Sequence, residues 1–174
     1  MLKRMSSSPH NPSSASVLAL IAYSIYEHRY EGGTATRVDV RLTSHSCALE
    51  DDGRGIGLHR EGYVAGLVEQ LTPRRRHVAI HGLGLALAAM SSPVMTVESR
   101  REGYRFVQSF AWGVAQGGVE REDWNGPGGT CIRFALANDA PAIGAADIAA
   151  QVEQWRIGHP GLTINVTMND EYAR

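Results

Sequence analysis

Residues 36–51 constrain the fold of this chain more than any other stretch: TRVDVRL, then the turn signal SHS, then CALED. Val38, Val40 and Leu42 alternate with polar residues, as in a strand with one buried face. A second alternating run follows the turn, so a β-hairpin is predicted. Side chains in a strand repeat every two residues, which puts Cys47, Leu49 and Asp51 on one face. If Cys47 and Leu49 point at the core, so does Asp51. A carboxylate aimed inward needs a hydrogen-bonding partner or a ligand.

The remaining pattern predicts an α+β fold. Residues 1–15 are rich in Ser, Pro and Asn and read as a disordered tail, leaving 16–174 as one domain. Ser14 or Ser16 is placed to cap a helix starting near Ala15, with Val17, Leu18, Ile21, Ala22 and Ile25 on one side. It should end before Gly32-Gly33. A second helix is expected over 60–71, broken by Pro73 and the basic run Arg74 to His77. A third follows the glycines of HGLGLALAAM, with Leu85, Leu87 and Met90 as its apolar residues. SPVMTVESRREGYRFVQSFAWG reads as two strands joined at Arg101-Glu102-Gly103, then GGVEREDWNGPGG as a loop and TCIRFAL as a strand. A helix over 144–157 and the strand LTINVTM close the chain. Paired strands with few crossover helices favour a two-layer sandwich, a mixed sheet with helices on one face.

Composition narrows the classes of function. With 174 residues, 43% hydrophobic and 20% charged, the chain has the profile of an ordinary globular domain. A net charge of −1 gives no general drive toward nucleic acid or membrane. No apolar stretch is long enough to span a bilayer, and Lys3 and Arg4 are not followed by the apolar core of a signal peptide. Cys47 and Cys131 lie far apart in apolar runs without metal-ligand spacing, so reduced, buried thiols and a cytoplasmic location are expected, with no metal site.

Asp51 is followed by Gly53, Arg54 and Gly55, which let the backbone approach a flat ligand closely. Gly82 and Gly84 precede a predicted helix, whose first N–H groups would face an anion. Gly129-Thr130 opens a strand with a hydroxyl at its mouth. A carboxylate, a phosphate-seeking loop and a hydroxyl together fit a purine nucleotide. The carboxylate would accept from the exocyclic amine.

DDGRGIG, HGLGLALAAMS, SRREGYRFVQSFAWG and GGTCIRF occur here in the order found in the ATP-binding domain of DNA gyrase B. The chain resembles that domain from about Val17 to Leu136 and on toward Met168. The family is the GHKL superfamily, and its nucleotide fold is the Bergerat fold. The resemblance implies that Asp51 binds the adenine amino group and that Gly53 and Gly55 are the glycines of that motif. Arg54 then flanks the adenine pocket, with Glu27 as its acidic partner, and Ile56 walls the pocket. Gly82 and Gly84 are similar to the phosphate-loop glycines, Thr130 to the threonine that supports Asp51, and Arg101 to the arginine near the pocket mouth. ATP or ADP is the implied ligand.

The sequence departs from the family at its catalytic end. The first motif carries a glutamate that activates water and, four residues later, an asparagine that holds Mg²⁺. Anchored on Ser24-Ile25, those positions are Ala19 and Tyr23. Ala has no base and Tyr is a poor Mg²⁺ ligand, so no catalytic residue is assigned and the role of Mg²⁺ stays open. The resemblance therefore implies an adenine nucleotide-binding module with weak or lost hydrolysis, with a protein partner or a second copy as possible company. DNA would be involved only indirectly, and a membrane not at all. Two alternatives stand: the ATPase part of a split type II DNA topoisomerase, or an interaction protein that keeps the fold and binds nothing. The Arg74 to Arg76 run reads as a solvated loop or as a contact for phosphate or DNA.

Overall fold

The computed structural model describes residues 11–29, 33–58 and 83–169. The helix expected over 60–71, the basic run at 74–77 and residues 1–10 of the expected tail lie outside them. In chain order the elements are α1 (Pro12–Arg29), β1 (Arg37–Leu42), β2 (Ser46–Asp51), α2 (Leu83–Met90), β3 (Val94–Arg101) and β4 (Tyr104–Ala111). They continue with β5 (Val114–Ala115), β6 (Glu120–Asp123), β7 (Gly129–Ala135), α3 (Ala145–Gly158) and β8 (Thr163–Met168). The described residues thus form an α+β fold of eight strands and three helices.

The strands make one sheet in the order β5-β4-β3-β7-β2-β1-β8, with β6 also paired to β4. It is mixed: β1 and β8 run parallel, and every other pairing is antiparallel. The β1–β2 hairpin forms as expected, pairing Val40 with Leu49 and Leu42 with Cys47. Arg101 pairs with Tyr104 across Glu102-Gly103, and Ala111 pairs with Val114 across Trp112-Gly113. All four turn residues have positive φ, at 54°, 81°, 51° and 80°, which matches the twist of the flanking strands.

The alternation decides which face is buried. Val38, Val40, Leu42, Cys47, Leu49, Met95, Val97, Phe110, Ile132, Phe134 and Ile164 fall on one face by register and form a single cluster. Val17, Leu20, Ile21 and Ile25 of α1, Leu85, Ala88 and Ala89 of α2, and Ile148 and Val152 of α3 belong to the same cluster. Among the described residues no helix is long and apolar enough to cross a membrane.

Three expectations are corrected. First, α1 begins at Pro12, not near Ala15, and residues 12–15 form its first turn instead of a tail. Pro suits the first helical position, where its missing N–H would be unpaired anyway. Asn11 Oδ1 accepts from the Ser13 N–H at 3.0 Å, so Asn11 caps the helix in place of Ser14 or Ser16. Ser13 and Ser14 are buried because they bind the 141–144 segment: Ser13 Oγ donates to the Pro141 carbonyl at 2.6 Å, and the Gly144 N–H donates to Ser14 Oγ at 2.9 Å. Second, β6 interrupts the expected loop after β5. All four of its residues are exposed, so no apolar alternation marked it. Third, Met90 is exposed, and the buried residues of α2 include Ala86, Ala88 and Ala89, whose small side chains let α2 lie close to α1.

Asp52, just past β2, ties the hairpin to the strand entry. Its carboxylate accepts from the Thr36 N–H at 2.7 Å, the Thr36 hydroxyl at 2.6 Å and the Arg37 N–H at 2.8 Å. Burial pushes this carboxyl up, but the hydrogen bonds from Thr36 and Arg37 outweigh it and hold the group below its ordinary value. Both cysteines are buried free thiols. Burial, and then the charge of Cys131, push the Cys47 thiol up to about 12. Burial also raises the Cys131 thiol.

Asp52→Ala removes the three bonds and should lower stability by about 1–2 kcal/mol at neutral pH, measured by urea unfolding. A depressed folded pKa contributes fully above the unfolded aspartate value of about 3.9 and is lost as pH falls through the folded value. The wild-type and variant stabilities should therefore converge below about pH 4. In a separate thiol assay at about pH 8, neither cysteine of the native protein should react with an aromatic disulfide reagent, and both should react in denaturant.

Candidate functional site

Asp51 closes β2 on the helix-facing side of the sheet, and register sets its neighbours. It stands opposite Thr130, which stands opposite Ser99, which stands opposite Phe106. All four are buried, and Asp51 is only 2% exposed. An ionised carboxylate out of water is costly unless donors surround it. Three reach it from different elements. Ser24 on α1 donates its hydroxyl to Oδ2 at 2.9 Å, while the Gly53 and Thr130 N–H groups donate to Oδ1 at 3.1 and 3.2 Å.

The segment after Asp51 folds back over the sheet. Ser99 Oγ donates to the Ile56 carbonyl at 2.5 Å, and Ile56 joins the core cluster. Gly55 lies so close to β3 that a Cβ there would stand 2.6 Å from the Arg100 carbonyl oxygen and 2.9 Å from Ser99 Oγ. Its φ is +77°, a conformation open to glycine and strained for other residues. Arg101 reaches over this loop, with Nη1 3.5 Å from the Gly55 carbonyl and Nε 2.7 Å from Glu102. The DGRGIG pattern is thus a loop pressed onto a strand beside a buried carboxylate.

Asp51, Gly53, Gly55, Ile56, Thr130 and Arg101 come together around the start of the return loop. Arg54 lies in the same loop and is partly buried. Glu27 is on α1, but its side chain lies outside the described residues, as does Gly82. Gly84 is corrected: it sits inside the first turn of α2 and does not precede it. The N–H groups of a first turn lack partners within the helix. Thr130 reaches Asp51 through its main-chain N–H. Ala19 and Tyr23 lie four residues apart on α1, so they share a helix face. Tyr23 is half-buried and packs against the core.

Sequence reasoning missed Ser24 and Ser99 as parts of this site. Both carried a signal. Ser24 continues the buried series Val17, Leu20, Ile21 at helical spacing, and Ser99 continues Met95 and Val97 at strand spacing. A hydroxyl on an apolar stripe requires a buried acceptor, and their acceptors are Asp51 and the Ile56 carbonyl.

Among the described residues no group of three or more His, Cys, Asp or Glu is placed to hold a metal ion. No protein-family model matches the chain, and a search of curated proteins finds no match either.

Gly55 and Gly103 both have positive φ, but a Cβ at Gly103 would meet nothing within 4 Å. Gly103→Ala should therefore cost only the conformational strain, about 1 kcal/mol. Gly55→Ala adds a backbone clash and should cost about 2–4 kcal/mol in urea unfolding.

Proposed function

We propose that this chain is an adenine nucleotide-binding domain of the gyrase B-like, GHKL kind, built on the Bergerat fold, in which ATP hydrolysis is weak or lost. One observation carries the reading: the buried Asp51 carboxylate is fixed by donors from α1, the glycine loop and β7. Adenine recognition asks for such a group, an acceptor held rigidly at the base of a pocket so that an exocyclic amine can donate to it. Gly53 and Gly55 keep the loop thin beside it, Ile56 offers an apolar wall, and Arg54 and Arg101 put positive charge near the mouth. Gly82 and Gly84 are the residues assigned to the phosphates.

Mg²⁺ does not fit the residues at its expected place. Ala19 has no donor atom, and Tyr23 is packed against the core. Ala19 and Tyr23 supply neither a good Mg²⁺ ligand nor a carboxylate base for water. The resulting module binds nucleotide, changes its surface or its partners in response, and turns over slowly if at all.

A second reading has one observation in its favour. Asp51 already takes three hydrogen bonds from the protein, which suits a structural carboxylate in an interaction protein that binds no nucleotide.

Calorimetric titration separates the two. ATP and ADP are each titrated with Mg²⁺ and again with EDTA, against wild type and Asp51→Asn checked for folding by circular dichroism. The expected result is binding that changes by less than about threefold in EDTA and weakens at least about tenfold in the variant. Binding that demands Mg²⁺ would overturn the metal-independent reading and reopen the split topoisomerase. Absence of heat under every condition would leave the interaction protein.

A further inference from the structure

The sheet face turned away from the helices carries its charges in rows. Register aligns Arg41, Ala48, Arg133 and Thr96 across four adjacent strands. The next row on the same face is Asp39, Glu50, Cys131 and Glu98, and beyond it lie Gly129, Arg100 and Arg105. The acidic row is engaged by the far arginines. Arg100 meets Glu50 at 2.7 Å and Glu98 at 3.8 Å, Arg105 meets Glu98 at 2.9 Å, and Arg37 meets Asp39 at 3.1 Å. The hydrogen bond from Arg105 leads the causes that hold the Glu98 carboxyl below its ordinary value.

The near basic row is left over. Arg133 has only a 3.9 Å approach to the shared Glu98 and is 59% exposed. Arg41 makes no hydrogen bond or ion pair among the described residues. A groove of about 350 Å³ opens between these two arginines, with Thr43, Ser46, Thr96 and Asn169 also on its wall and no Asp or Glu among the described residues that line it. Ala48 forms the floor between them. Two strand spacings separate the two arginine backbones by about 10 Å. A residue with no side chain beyond Cβ lets both guanidinium groups lean inward over it.

We propose that this groove is a second ligand site, for a small oxyanion, carboxylate or phosphate, clamped between Arg41 and Arg133. Guanidinium forks match the geometry of either group in pairs of hydrogen bonds, and the neighbouring hydroxyls supply further donors. The acidic row limits the size of the ligand. It lies about 7 Å away along each strand, so a long polyanion crossing the face would meet Glu50 and Glu98. The site is on the opposite face of the sheet from Asp51 and does not depend on nucleotide binding there.

Amide NMR of the full chain tests this, with titration of inorganic phosphate and separately of succinate at constant ionic strength. Saturable shifts centred on Arg41, Ala48, Thr96 and Arg133 are expected. Arg41→Ala and Arg133→Ala should each weaken binding by about tenfold, while Arg121→Ala, a control on the other face, should not change it. The tighter of the two probes identifies the class of oxyanion. Shifts that stay linear, or saturable binding that survives in both variants, would overturn the proposal.

Discussion

Burial of the Asp51 carboxylate is the interaction on which this architecture turns. A charge held 2% exposed beneath a helix would destabilise the fold if it stood alone. Donors from α1, from the return loop and from β7 reach it, so the carboxylate joins elements far apart in sequence. Ser24 fixes where α1 sits over β2, Thr130 fixes the start of β7, and Gly53 starts the loop back toward β3. Gly55 and Ile56 follow in that loop, where they meet Arg101 and Ser99 of β3.

One strand serves two chemistries because successive side chains point to opposite faces. Asp51 points toward the helices and is enclosed. Glu50 points the other way and pairs with Arg100 at 2.7 Å, with the Trp124 ring 5.9 Å from the same guanidinium. On the helix face the Asp51 carboxylate is enclosed. The open face keeps its charges in a ladder, where most pair with neighbours, Arg133 has a 3.9 Å approach to Glu98 and Arg41 has no pair among the described residues. The two proposed sites therefore differ in kind. The first presents a buried acceptor fixed by donors, and the second an exposed pair of cations.

Much of the fold was legible from local pattern. Alternation located β1, β2, β3, β4 and β7, and it placed Asp51 inward before any partner was known. Two-residue turns ending in glycine fit the hairpins that join β3 to β4 and β4 to β5. What escaped had no local apolar signature. The edge strand β6 is held by main-chain pairing with β4 and exposes every side chain. The first turn of α1 looked like tail because Ser13 and Ser14 find their partners near residue 141, well over a hundred positions away. Ser24 and Ser99 lie on apolar stripes, but their acceptors are non-local, so the stripe alone does not say what they hold.

The sequence by itself determined which side of each strand is buried and where turns fall, since both depend on neighbours within a few residues. It also determined that an acidic, glycine-broken strand end sits against the core. Only the tertiary structure decided the strand order, and with it every cross-strand neighbour. Thr130 stands beside Asp51, and Arg133 beside Ala48, because β7 pairs with β2 through main-chain hydrogen bonds that no single side chain encodes. That pairing is set by the summed packing of the whole helix face, in which shifting one strand by a residue would turn its apolar side chains to solvent.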